Sequence, residues 1–218
     1  MTPIGPESVL RRAEWIADAV VHGIGLAFGL AACIAIAIFA IPEADGLRLT
    51  SLGLYGFGLL AMLGCSAWYN MAGPGRWKAV LRRFDHAAIF LMIAGTYSPF
   101  ALIVIGGGWG LGVFLFVWGV ALAGAALKLL LPGRFERLSV AVYLLLGWTI
   151  LVAFNPLLEG ASLSALVLLL TGGGLYSLGV IFHLWERLPF QTAIWHVFVL
   201  AAAACHFSAI LLDVALVA

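Results

Sequence analysis

The chain has 218 residues, of which 64% are hydrophobic and 10% charged, with a mean hydropathy of +1.14. A soluble domain carries about a quarter charged residues, so this composition excludes a soluble globular protein. The net charge of +1 argues against nucleic acid as a partner and leaves membrane lipids as the natural surroundings.

A membrane-crossing helix needs roughly 20 mostly apolar residues. Seven stretches qualify: residues 17–41, 48–72, 85–105, 109–131, 139–157, 163–185 and 191–217. The loops between them are too short for a soluble domain. The fold predicted is an all-α integral membrane protein, a single seven-transmembrane-helix bundle over 1–218, with 1–16 as an N-terminal segment. Arg11 and Arg12 precede an apolar run too long for the h-region of a cleavable signal peptide.

Span 1 carries Glu14, Asp18 and His22 at i, i+4 and i+8, one stripe down a helix. Acids in a first turn favour the positive dipole end, which accounts for Glu14 and partly for Asp18 but not for His22, one to two turns deeper. Gly25 and Gly29 in the same span permit close helix packing, within or between chains. Near the end of span 2, Ser66 and Asn70 stand one turn apart. Asp85 opens span 3 behind Arg82 and Arg83, again with a helix-start reading. His86 is turned about 100° from it and reads as structural.

Lys128, near the end of span 4, is expected to snorkel to the headgroups. His183 ends span 6 beside Trp185. Span 7 has Thr192 and His196 one turn apart, then His206. The step from His196 to His206 is about 15 Å of rise, so these two cannot share a metal, and His206 reads as an interhelical hydrogen-bonding group. Cys33, Cys65 and Cys205 all lie in apolar segments without framework spacing and read as small hydrophobes, not disulfides.

Lys and Arg mark the cytoplasmic side of a membrane. Arg11 and Arg12 precede span 1; Arg76, Lys78, Arg82 and Arg83 fall in the second loop, Arg134 and Arg137 in the fourth, and Arg187 in the sixth. The other side has Arg48 beside Glu43 and Asp45. The N-terminus is therefore expected inside and the C-terminus outside, in the cell inner (plasma) membrane. On that topology the first two turns of spans 1, 3 and 7 meet the last turns of spans 2 and 6. Asp18, His22, Ser66, Asn70, Asp85, His183 and His196 then share one level near the cytoplasmic leaflet. Ionisable groups inside a membrane are costly, and a cluster of them is a functional-site hypothesis.

At these residues the chain resembles the hemolysin III branch of the progestin and adiponectin receptor (PAQR) family. The matching stretches are EWIADAVVHGIG (14–25), SAWYN (66–70), FDHAAIFLMIAGTYSPF (84–100), YLLLGW (143–148) and WERLPFQTAIWHVFVLAAAACHF (185–207). The resemblance implies a seven-helix fold with its N-terminus inside and a zinc site near the inner leaflet. It implies ligands at a histidine four residues after the span 2 serine and at an HxxxH pair opening span 7, with a span 3 aspartate holding the metal-bound water. It also implies hydrolysis of a lipid amide or ester.

Asn70 and Thr192 stand where two of those histidines belong, leaving His196 as the matching ligand and Asp85 and Ser66 as the matching supporting residues. Amide and hydroxyl oxygens are weak zinc ligands beside imidazole. Asp18 stands where the family has Asn, and His183 where it commonly has Tyr. Two arrangements follow. One is a metal-free pocket hydrogen-bonded among Ser66, Asn70, Asp85, Thr192 and His196. The other is a rebuilt site in which His22, His183, Asp18 or Asp85 replaces the missing ligands.

The functional expectation is lipid handling or membrane homeostasis, through metal-dependent hydrolysis with Asp85 as general base and Ser66 or Asn70 polarising the carbonyl. The alternative is a non-enzymatic protein, a membrane-state sensor or a cytolytic pore former. The outer halves of the spans are apolar, with no polar stripe crossing the bilayer, which ranks the pore lower. A proton-linked transporter using Asp18, His22 and Asp85 lacks the interrupted helices and midplane charges many transporters have.

Overall fold

The computed structural model describes residues 6–40, 45–131 and 133–216; Glu43 of the charge argument lies outside them. Its helices are α1 (Pro6–Phe39), α2 (Gly46–Met71), α3 (Arg76–Pro99), α4 (Gly107–Leu130), α5 (Glu136–Gly147), α6 (Phe154–Gly160), α7 (Leu163–Leu184) and α8 (Gln191–Ile210). Among the described residues, seven helical stretches are long and apolar enough to cross a membrane. The fifth of them is broken: α5 runs through a 3₁₀ segment, Trp148–Ala153, into α6.

That break must not strand backbone groups in lipid. Tyr97 of α3 answers it, its hydroxyl donating to Gly147 O at 2.7 Å and accepting from Ile150 N at 2.8 Å. The break borders an apolar cleft between α3, α6 and α7 that reaches His206.

Two helix starts fall earlier than predicted, and this changes how their acids read. α1 begins at Pro6 and α3 at Arg76, so Asp18 and Asp85 sit several turns inside their helices. The dipole effect fades within the first turn, and it explains neither residue.

Glycines set the close approaches. A Cβ on Gly58 of α2 would lie 2.7 Å from Leu91 O, and one on Gly95 of α3 would lie 2.8 Å from Leu54 O. The two helices thus touch backbone to backbone in a reciprocal contact, the small-residue packing that membrane bundles rely on. A Cβ on Gly29 would meet Leu63 Cδ1 at 2.7 Å, so the Gly25/Gly29 pair packs α1 on α2 within the chain. On α7, Gly172 receives the His206 ring and Gly179 receives Trp195 and Phe198 of α8.

Lys128 does not extend into open solvent. Its side chain is 5% exposed and its Nζ lies 3.2 Å from Glu136 Oε2. Glu136 also meets Arg82 Nη2 at 3.0 Å and His86 Nδ1 at 3.3 Å. An acid at the start of α5 gives the lysine a partner, and pairing competes with extension to water. His206 is an interhelical group as expected, its Nε2 3.3 Å from Leu169 O. Cys33, Cys65 and Cys205 are free and half-buried.

Candidate functional site

α1 presents Asp18 and His22 one helical turn apart toward α8, and both are buried, at 6% and 7% exposure. α8 answers with His196, also buried. Asp18 is the hub: its Oδ1 lies 2.6 Å from His196 Nδ1 and its Oδ2 lies 3.5 Å from His22 Nε2. The two imidazole rings are 4.4 Å apart, centre to centre. His22 Nε2 is buried without a hydrogen-bond partner of good geometry.

The other face of His196 turns to α2, with Nε2 3.4 Å from Ser66 Oγ. Ser66 therefore bridges three helices, because Asp85 of α3 lies beside it and within the electrostatic reach of His196 and His22. Asn70 is turned back on its own helix, donating from Nδ2 to Ser66 O at 3.0 Å and reaching Ser66 Oγ at 3.4 Å. It steadies Ser66 and has one amide hydrogen committed to the backbone.

Two of the sequence candidates turn their side chains to partners other than Asp18, His22 and His196. Thr192 is exposed and its hydroxyl pairs with Gln191 Oε1 at 3.3 Å, so it takes no part in the hydrogen-bonded pocket expected of it. His183 packs its ring 5.0 Å from that of Trp195, and its carbonyl accepts from Gln191 Nε2. Glu14, on the same stripe as Asp18, accepts from the backbone N–H of Phe190 at 3.0 Å. Phe190 holds a left-handed turn, φ 58°, just before α8. Glu14 thereby ties the start of α8 to α1 and sets the depth at which His196 meets Asp18.

Asp18, His22 and His196 each offer one ligating atom, and these atoms lie within 4.8 Å of one another. Among the described residues this is the one group of three or more His, Cys, Asp or Glu side chains placed to hold a metal ion. A carboxylate with two imidazoles is a donor set that catalytic zinc sites use, leaving a position open. The unpartnered His22 Nε2, aimed at the shared carboxylate, fits the same purpose. Asp18 as the hub is what the sequence reading left open. The i, i+4, i+8 stripe carried the signal, and the early start of α1 removes the dipole explanation that diluted it.

A family model described as haemolysin-III related matches residues 13–207. The chain is 37% identical over 198 residues to the hemolysin-3 homolog of Bacillus subtilis (strain 168), covering 91% of this chain and 93% of that protein. It is equally similar, 37% over 198 residues, to hemolysin-3 of Bacillus cereus, covering 91% and 90%. The human monocyte to macrophage differentiation factor is 31% identical over 169 residues, covering 72% of this chain and 67% of that protein. No solved structure matches significantly.

Proposed function

Since the chain belongs to the haemolysin-III related family, in the hemolysin III branch of the PAQR proteins, we propose that this multipass membrane protein handles lipids by hydrolysing an amide or ester bond at the Asp18–His22–His196–Ser66–Asp85 site. One observation carries the reading: three ligating atoms from two helices converge in a buried place, with a serine hydroxyl and a further carboxylate adjoining. The Lys and Arg asymmetry supports a cytoplasmic N-terminus and an outer C-terminus. The site then lies at the cytoplasmic leaflet of the inner (plasma) membrane.

Asp18, His22 and His196 would hold Zn²⁺. Zinc held by these residues would supply Lewis-acid polarisation of a carbonyl and a water acidified toward neutral pH. The chain's own groups do the rest. Asp85 accepts the proton of the attacking water and returns it to the leaving amine or alkoxide. Ser66, steadied by Asn70, donates to the carbonyl oxygen. α1 and α8 are locked together by Glu14 and Asp18, which fixes the geometry in advance of substrate.

A specific observation favours a second reading. Asp18 Oδ1, His196 Nδ1, His196 Nε2 and Ser66 Oγ form a line of carboxylate, imidazole and hydroxyl, the geometry of a nucleophilic serine. In that scheme Ser66 Oγ attacks the acyl carbon and His196 Nε2 takes its proton, then passes it to the leaving group. Water afterwards releases the acyl chain by the same route. This needs His196 Nε2 free and no metal.

The test is fatty-acid release from ceramide-like and ester lipids by purified protein in vesicles. Activity abolished by Asp85→Asn and by His196→Ala supports hydrolysis; release that a chelator leaves intact and Ser66→Ala abolishes selects the serine route. Release equal in wild type and His196→Ala would overturn the hydrolytic role, and release equal in wild type and Asp85→Asn would overturn the zinc route. The outer half of the bundle is filled by Tyr55, Leu59, Ile210 and Val214, each 0% exposed, which supports lipid handling over a transmembrane pore.

A further inference from the structure

The ion cluster around Glu136 has more positive charge than it can use. Where α3, α4 and α5 meet, a recess of ≈ 310 Å³ is lined by Arg82, Arg83, His86, Lys128 and Glu136. Three permanent cations share this lining with one carboxylate, and Asp85, within electrostatic reach of Arg82, stands outside it. The Glu136 carboxylate is already shared among Arg82, His86 and Lys128. Lys128 is almost fully withdrawn from solvent, and Arg83 Nε is buried and meets no acceptor.

A cation removed from water is costly unless it is paired and hydrogen-bonded. The surplus therefore asks for an anion, and the forked donors of arginine match phosphate oxygens. The recess sits at the ends of membrane-crossing helices, where the exposed rings of Trp77 and Phe135 mark the headgroup level. Basic pockets between helices at that level suit anionic lipid headgroups.

We infer that this recess binds the phosphate of an anionic phospholipid, with Arg83 and Arg82 as its direct donors and Lys128 as the charge behind them. It is separate from the Asp18–His196 site and does not depend on hydrolysis. Bound lipid completes the charge balance of a cluster that joins three helices and so stabilises the bundle.

The experiment measures thermal unfolding and binding of the full-length protein in neutral detergent, with phosphatidylglycerol, phosphatidylcholine or inorganic phosphate added. Phosphatidylglycerol should raise the unfolding temperature in a dose-dependent way while phosphatidylcholine does not. Arg83→Gln should weaken phosphatidylglycerol binding about tenfold, the loss of one charge-assisted contact. Arg134→Gln, a control outside the recess lining, should leave it within twofold. Equal binding by wild type and Arg83→Gln, or equal effects of the two lipids, would overturn the site. Inorganic phosphate matching phosphatidylglycerol at the same concentration would overturn the lipid as the source of the anion. Should Arg83→Gln unfold, Arg82→Gln gives the same comparison from the more exposed arginine.

Discussion

The link between Asp18 and His196 can be weighed by a double-mutant cycle with Asp18→Ala, His196→Ala and the pair. The carboxylate oxygen lies 2.6 Å from the ring nitrogen with both side chains at or below 10% exposure. A hydrogen bond involving an ionised group is worth about 1.5–3 kcal/mol. Polar contacts between membrane helices average only about 0.6 kcal/mol, because the unfolded chain in lipid also finds partners. The short distance, burial and charge place this pair above that average, at a coupling of about 1.5–2.5 kcal/mol. The assay is reversible unfolding in mixed micelles followed by tryptophan fluorescence. A neutral reference pair lies in the same bundle: Trp118 Nε1 donates to Ser98 Oγ at 3.0 Å, and its cycle should return about 0.6 kcal/mol. A coupling for Asp18–His196 no larger than that of Trp118–Ser98 would refute the claim that Asp18 organises the site.

Three further expectations follow from named contacts. Glu136→Gln should cost about 2–3 kcal/mol, less than the 3–5 typical of a buried ion pair because Glu136 is 35% exposed; adding Lys128→Met should recover most of it, and a neutral single mutant would contradict the pairing. Gly95→Ala should cost about 1–3 kcal/mol, since the new Cβ meets the Leu54 carbonyl, whereas Gly112→Ala, with nothing near its Cβ, should be neutral or stabilising. In a cysteine-free background, Ala161→Cys should react with an impermeant maleimide in intact cells and Pro74→Cys only after permeabilisation; the reverse pattern would invert the topology.

Composition and hydropathy were enough to find all seven crossings, because lipid leaves the backbone few choices. They could not place the helix starts at Pro6 and Arg76. Those turns carry Arg11, Arg12, Arg82 and Arg83, which hydropathy reads as loop although helices continue readily into the headgroup layer. The same blind spot made Asp18 and Asp85 look like dipole acids. The pairing of Lys128 is hidden for a different reason: its partner Glu136 lies across a loop, and one sequence shows neither burial nor pairing. His22 at the site was visible from its spacing on the Glu14–Asp18 stripe. The separation of Thr192 and His183 from it was not: Thr192 shares a face with His196 but stands in the first turn of α8, where it is exposed, and His183 is packed on Trp195.

Metal content tests the site most directly. Protein purified without a metal-affinity column and analysed for its elements should carry about one zinc per chain, falling below about 0.1 in Asp18→Ala, His22→Ala and His196→Ala while Thr192→Ala and His183→Ala stay at the wild-type level. Wild-type protein with less than about 0.1 zinc per chain, even after incubation with zinc and gel filtration, would contradict a metal centre and leave the carboxylate–imidazole–hydroxyl line of Asp18, His196 and Ser66 as the chemistry of the site.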